Sequence, residues 1–270
     1  MSRTLPSAQA PAGEWRGVGL GERGVSWNER DAILYALAVG AGATDLDLVF
    51  EERLRVLPTF ALTLAQWAPD LLGSAGAFEV GRALHGGQRL RSYGELPAAG
   101  ELRMSARVGE VWDKGSAAVF DVVVESDLFE ATWSLFAPGR GGFGGDRGPG
   151  RAPAPATDSA WRTRWPTAAN QAALYRLLGD RHRIHIDPDA ARAIGRPRPI
   201  LHGLATLATA TLAAADTIGA HPAGLTAVAG RFADVVLPGD ELTVEGWDDG
   251  RFLVRTERGT VMDEGRFSFE

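Results

Sequence analysis

Residues Ile200 to Ile218 read ILHGLATLATATLAAADTI, a run filled by Leu, Ala and Thr with no charge before Asp216. A helix that is apolar or small nearly all round has no face to give to water, so this one is expected to be buried with a sheet wrapped about it. Upstream, Thr59 to Trp67 reads as its counterpart, ended by Pro69.

A second such helix implies a duplicated plan, and the sequence repeats itself at an offset of about 140. Leu34, Tyr35 and Leu37 recur as Leu174, Tyr175 and Leu177, and Pro58 recurs one residue out of phase as Pro199. Leu96-Pro97 and Gly100-Glu101-Leu102 are echoed by Leu237-Pro238 and Asp240-Glu241-Leu242. Ordered matches at one offset point to duplication. Asp31 to Val39 and Thr167 to Leu178 have helical spacing. Glu101–Val108, Ala117–Glu125, Leu128–Phe136, Thr226–Phe232, Glu241–Gly246 and Arg251–Glu257 read as strands. Short connections at Trp112–Ser116 and Trp247–Gly250 make neighbouring strands antiparallel. Pro138 to Thr157, with Gly-Gly-Phe-Gly-Gly at Gly141–Gly145, is too poor in apolar residues to form an element and reads as a linker. The expected organisation is therefore residues 1–137, a linker at 138–157, and residues 158–270.

With 270 residues, 45% of them hydrophobic and 23% charged, the chain suits a soluble globular protein of one large or two smaller domains. A net charge of -6 argues against nucleic acid as a partner, since phosphate binding needs a clustered basic surface. No run of about 18 apolar residues could span a bilayer, and Met1 to Glu14 lacks the apolar core of a signal peptide. A cytoplasmic protein with no membrane partner is the expectation. The absence of cysteine excludes disulfides, thiolate metal sites and cysteine nucleophiles. Among 28 basic residues only Lys114 is a lysine.

The chemistry gathers just ahead of the long apolar run. Asp187-Pro188-Asp189 reads as N-cap, N1 and N2 of a short helix that Gly195 terminates. Asp180 and His185 then fall in the irregular stretch before it, where side chains can be aimed into a cleft. A carboxylate and an imidazole five positions apart, followed by Gly203 at a helix start, supply a base, an acid and an anion-stabilising donor. That set can move water across a polarised double bond. At the repeat offset Asp180 aligns with Gly40 and His185 with Asp45, so only the later half carries the pair.

Tyr175, Gly179, Asp180, His185, Asp187, Pro188 and Pro199-Ile200-Leu201-His202-Gly203 resemble the signature of the MaoC-like (R)-specific enoyl-CoA hydratases. His182 and Arg183 stand where that signature has Asn and Pro. The resemblance implies an α+β double hotdog, two antiparallel sheets each curled around a central helix. It also implies reversible hydration of trans-2-enoyl-CoA to (R)-3-hydroxyacyl-CoA. Asp180 would take a proton from water, and His185 would orient that water and help protonate the α carbon. The Gly203 N–H would hold the thioester oxygen. The first half resembles double-hotdog members at His85, Gly86 and Gln88, read as a turn with Gly87 replacing Glu, and at the turn Asp113-Lys114-Gly115-Ser116. On that resemblance His85, Gly86 and Lys114 contact coenzyme A. Taken on its own, Asp-Lys-Gly is equally a solvent-exposed hairpin turn.

His182 and His202 are modulating positions, His202 capping or orienting the turn before the helix. His221 has no partner suggested by the sequence. His182 with His185 would give a metal only two ligands, so none is assigned. No cofactor is expected, because hydration involves neither redox change nor phosphoryl transfer. Arg53, Arg55, Arg89 and Arg91 read as solvated strand faces, and the eight tryptophans as packing residues. The partner is an acyl-CoA or acyl-carrier-protein thioester. The duplication provides an internal pseudo-dimer, and a homodimer of two such chains rests on analogy alone. Competing readings are a hotdog thioesterase, in which water attacks the carbonyl carbon, and a noncatalytic acyl-carrier-binding module.

Overall fold

Alternation of buried and exposed side chains along Glu101–Val108, resumed after a register shift at Gly109–Glu110, makes Gly100–Asp113 a strand with one dry face. The same physics produces ten strands in the computed structural model, which describes residues 5–153 and 156–270. In chain order they are β1 (Gly19–Trp27), β2 (Leu84–Ser92), β3 (Gly100–Asp113), β4 (Ala117–Glu125), β5 (Phe129–Pro138), β6 (Trp161–Pro166), β7 (Leu225–Phe232), β8 (Glu241–Gly246), β9 (Arg251–Thr256) and β10 (Gly259–Phe269). Parts of the opening segment and of the linker reading, residues 1–4 and 154–155, lie outside the described residues.

The sheet order is β1-β3-β4-β5-β2-β7-β10-β9-β8-β6, antiparallel throughout. Matched across the repeat, that order is a palindrome, as two hotdog units joined edge to edge require. The joint is the β2–β7 pair, with Gly87 opposite Arg231 and Gln88 opposite Gly230. A Cβ on Gly87 would lie 3.3 Å from the Gly230 carbonyl oxygen, so the close approach of the two backbones favours the side chain-free residue.

The long helix spans Gly203–Ile218, and every residue from Leu204 to Ala215 is buried. Its threonines Thr206, Thr209 and Thr211 do not face water. Thr209 Oγ1 donates to the Val39 carbonyl at 2.8 Å and accepts from Gln171 Nε2 at 3.0 Å, tying this helix to the first half. Gly219, at φ +72, ends it in the left-handed conformation.

In the first half the expected single helix ended by Pro69 is not what forms. The segment is broken into Pro58–Phe60, Ala61–Leu64 and Trp67–Ser74. Pro69 is the third residue of the last piece, where a proline's missing N–H costs nothing because first-turn amides have no helical acceptor. The helical readings near Asp31 and Thr167 correspond to Glu29–Ala38, and to Gln171–Tyr175 followed by a 3-10 turn at Arg176–Leu178. Asn28 and Asp31 form a reciprocal capping box on the first of these.

Four strands escaped the sequence pattern. In β1 the middle, Gly21 to Ser26, is exposed apart from the half-buried Val25, leaving only Leu20 and Trp27 buried. β2 is Gly- and Arg-rich, β6 is half-exposed, and β10 is kinked by register shifts. β1, β2 and β10 carry no clean period of two, whereas β6 alternates over only six residues, too short a run to stand out beside the linker.

The stretch 138–157 contributes only its first residue to an element, yet it folds against the first half. The Asp113 carboxylate accepts from the Gly115, Gly142 and Gly144 amides at 2.8, 2.9 and 2.8 Å. The Gly142, Gly115 and Gly144 amides hold its carboxyl at about 2 against the opposing effect of burial. The Lys114 ammonium donates to the Arg147 and Pro149 carbonyls, and Phe143 packs over Gly13 and Gly145. Among the described residues no helix is long and apolar enough to cross a membrane.

Candidate active site

Gly179 takes φ +138, a value few other residues adopt, and so ends the 3-10 turn just before Asp180. Past Asp180 the chain makes a second 3-10 turn at Arg183–His185 and then the helix Pro188–Ala193. Asp187 caps that helix as expected, its carboxylate accepting from the Asp189 amide at 2.8 Å, and Gly195 follows at φ +76. Two backbone bonds stitch the entrance of the long helix, one to this stretch and one to the segment ahead of β8. The Ile200 amide donates to the Ile184 carbonyl at 3.1 Å and the Leu201 amide to the Val236 carbonyl at 2.8 Å.

The side chains follow from that stitching. His185 Nδ1 lies 2.9 Å from the Ile200 carbonyl oxygen, which can only accept, so Nδ1 carries the proton and a neutral ring presents a lone pair at Nε2. Nε2 faces Asp180 Oδ2 at 3.9 Å, with the imidazole 8% and the carboxylate 28% exposed. A water oxygen placed about 2.8 Å from both acceptors would see them at an angle of about 90°, within reach of its two hydrogens. His202 Nε2 donates to the Asp180 backbone carbonyl at 3.2 Å, and its ring stacks on that of His185 at 3.6 Å between centroids. His202 thus orients the turn, as one of its two expected roles required, and makes no side-chain cap on the helix.

Burial would raise the Asp180 carboxyl, but the imidazoles of His202 and His185 and the His182 amide outweigh it and hold the group below the usual carboxylate range. Burial lowers His185 despite the Asp180 charge, and burial followed by His185 lowers His202 further. At neutral pH the site holds one carboxylate and two neutral imidazoles.

Gly203 opens the long helix, and its N–H is among the first-turn amides that have no acceptor within the helix. The Phe232 ring covers it: a Cβ there would lie 3.1 Å from the ring edge. Phe232 in turn meets the His85 ring edge-on at 4.8 Å. His85 and Phe232 both line a cleft of about 520 Å³, together with Gly86 and Lys114. The three carrier-contact candidates therefore share one cleft that ends one aromatic ring from the Gly203 amide. His85 donates from Nε2 to the Gly87 carbonyl and to Gln88 Oε1, both at 3.1 Å, and burial brings its pKa down to about 4.

Several expectations need correcting. His85 to Gln88 are not a turn: they lie inside β2, with a register shift between His85 and Gly87 that bends the strand at the joint. Arg53 and Arg55 are on a loop after the helical turn Leu46–Val49, paired with Asp47 and Glu95, because that segment has no partner strand. Arg89 does lie on β2, but it lines the cleft and pairs with Asp121 at 3.7 Å. His221 finds partners in the Ala223 amide and, at 3.8 Å, Asp47. At the first-half positions aligned with Asp180 and His185, Gly40 takes φ +108 and Asp45 accepts from the Gly42 amide.

The sequence reading missed Phe232, the Ile200 carbonyl and Asp70. Asp70 comes from Trp67–Ser74 of the first half, where burial and the Asp180 charge raise its carboxyl above the usual range. Only the fold brings these to the site. A metal would find ligand atoms of Asp180, His185 and His202 within 4.8 Å of one another. His202 Nε2 is engaged by the Asp180 carbonyl, and rings stacked with planes 21° apart and centroids 3.6 Å apart hold their lone pairs in nearly parallel planes that one ion cannot share. That is poor geometry for a tetrahedral ion.

Residues 152–265 match the MaoC-like domain and residues 25–137 match the N-terminal domain of the MFE-2 hydratase 2. The enoyl-CoA hydratase ChsH3 of Mycobacterium tuberculosis is 40% identical over 248 residues, which cover 85% of this chain and 86% of that one. The chain belongs to the MaoC-like hydratase and dehydratase family. The 3-hydroxyacyl-thioester dehydratase Y of the same organism is 38% identical over 250 residues, covering 86% of each chain. The peroxisomal multifunctional enzyme type 2 of Drosophila melanogaster superposes with a TM-score of 0.80 at 32% identity. It covers 93% of this chain and 48% of its own. A MaoC-like dehydratase from Phytophthora capsici gives a TM-score of 0.85 over 97% of this chain and 98% of its own, and its 23% identity speaks to the fold alone.

Proposed function

We propose that this member of the family hydrates trans-2-enoyl-CoA to (R)-3-hydroxyacyl-CoA and runs the reverse dehydration. The single observation that carries the proposal is the convergence of Asp180 Oδ2 and His185 Nε2, 3.9 Å apart, beside the entrance of the buried helix at Gly203. The names of the relatives support the same reaction, and the (R) outcome comes from the family rather than from any distance.

The steps balance on one water. Its oxygen bonds the β carbon while one proton passes to the Asp180–His185 pair, and the electrons of the double bond move onto the thioester oxygen. The Gly203 N–H, aided by the helix dipole, holds that oxygen as it gains charge. The pair then returns the proton to the α carbon. His185 enters as an acceptor, because its neutral tautomer has no hydrogen on Nε2, so it protonates the α carbon only after taking the proton from water. Asp180 accepts a hydrogen bond from the other water hydrogen, which stays on the product hydroxyl, and stabilises the imidazolium.

In this reading the first half receives the carrier. His85 offers Nδ1 as an acceptor, the Gly86 backbone forms part of the wall, and Lys114 lies at the rim with its linker carbonyls. The test is loss of enoyl absorbance on mixing the protein with crotonyl-CoA, with 3-hydroxybutyryl-CoA as product. Release of free thiol from a saturated acyl-CoA, with no change in the enoyl band, would overturn it in favour of a thioesterase.

A further inference from the structure

The carrier cleft has four cationic side chains, and each is already engaged by the protein. Lys114 holds the Arg147 and Pro149 carbonyls, and Arg89 pairs with Asp121. Arg231 and Arg151 converge on a single oxygen, Oδ2 of Asp263. Glu264 stands behind them, 3.5 Å from Arg231 Nε and 3.8 Å from Arg151 Nε.

This last cluster is poorly satisfied. Arg231 Nε and Asp263 Oδ1 are both buried without a hydrogen-bond partner. Two guanidinium groups bring ten N–H donors and share few acceptors. Asp263 and Glu264 sit where β10 shifts register between Asp263 and Arg266, and Glu264 has φ +51, the only non-glycine residue with positive φ among the described residues. The bulge therefore turns two successive carboxylates toward the arginines at a local conformational cost. Arg231 is also the residue opposite Gly87 across the β2–β7 joint, beside the His85–Gly86 wall of the cleft.

We propose that Arg231 and Arg151 form the subsite for a phosphate of the coenzyme, and that Asp263 and Glu264 compete with that phosphate for them. A phosphate brings several acceptor oxygens to donors now sharing one carboxylate oxygen, and charge-assisted forks of this kind are the strong ones. The inference rests on the coenzyme A reading of the cleft. It goes beyond that reading in assigning the two arginines and in giving the bulge a role in setting affinity.

The experiment compares crotonyl-CoA with crotonyl-pantetheine, which keeps the thioester and the pantetheine arm and lacks the nucleotide and all phosphates, in the full chain and its variants. Arg231→Gln should raise the ratio of the two KM values by about tenfold to a hundredfold, the range for a lost charged hydrogen bond. It should weaken coenzyme A binding in calorimetry to a like degree. Glu264→Gln should act oppositely, tightening coenzyme A by about twofold to fivefold, the range for a partly exposed ion pair. Glu264→Gly, which suits the positive φ, should do the same and guards against a folding defect in the first variant. An unchanged KM ratio in Arg231→Gln, or weaker coenzyme A binding in both Glu264 variants, would overturn the inference. If the unmodified protein hydrates neither thioester, the hydratase reading fails, while calorimetry with coenzyme A still judges the subsite.

Discussion

Replacing Asp180 with Asn keeps the shape of the side chain and removes its charge, so it tests what that charge does to a proton arriving on His185. In the proposed mechanism, water giving up its proton in the hydration direction forms an imidazolium whose Nε2 lies 3.9 Å from Asp180 Oδ2. Coulomb's law at that distance with an effective dielectric of about 20 gives about 4 kcal/mol of stabilisation, equivalent to roughly a thousandfold in rate. The loss of one of two water acceptors lies in the same range, about a hundredfold to ten-thousandfold for general base catalysis. Asp180→Asn should therefore lower kcat for crotonyl-CoA about a thousandfold. The fold should remain, because the Asn side-chain oxygen can still accept from the His182 amide, now 3.1 Å from Oδ1. The assay is the enoyl absorbance at saturating substrate, with thermal unfolding as the control for folding. A variant that stays folded and keeps more than a tenth of the turnover would refute the reasoning, since neither charge nor base at that position could then matter to the barrier.

Gly203→Ala should leave the fold in place, as alanine is the better helix former. Its Cβ would meet the Phe232 ring at 3.1 Å and crowd the approach to the amide, so turnover should drop by about a hundredfold or more, and wild-type turnover would count against an oxygen site there. His182→Asn removes an imidazole whose charge lowers His185, their rings being 6.4 Å apart, so the acid limb of kcat/KM should move to higher pH; an unmoved limb would make the position incidental. Stability should fall as pH falls below about 6.5. His185, His202 and His85, the last at about 4, take up protons in the unfolded chain before they do in the fold, so the unfolded state holds the extra protons over that window. Below about pH 4 the lowered carboxyls of Asp180 and Asp113 extend the trend in the same direction. Urea midpoints at pH 5 and 7.5 check this, and equal midpoints would refute it.

Much of the molecule was legible in one dimension because its physical causes are local. The run from Ile200 to Ile218 could only be a buried helix, since a sixteen-residue helix without a polar face has nowhere else to go. Asp187 and Pro188 announce a helix start through donors within two residues, and Asp113-Lys114-Gly115 announces a turn in the same way. The repeat foretold two halves of one plan, though not that their two sheets join through β2 and β7 into one, and the positions of Asp180, His185 and Gly203 were readable from their spacing and their likeness to a family signature.

Tertiary structure decided what depends on partners distant in sequence. The tautomer of His185 is set by the carbonyl of Ile200, fifteen residues on, and the ceiling over Gly203 by Phe232 from another strand. Strands β1, β2 and β10 carry no clean alternation because neighbours, rather than their own pattern, hold them in the sheet. The broken first-half helix and the convergence of Arg231 and Arg151 on Asp263 belong to the same class. A sequence lays down which chemistry is available and at what local geometry. Which atom of a side chain faces the reacting molecule is a matter of long-range packing, and only the folded chain contains that information.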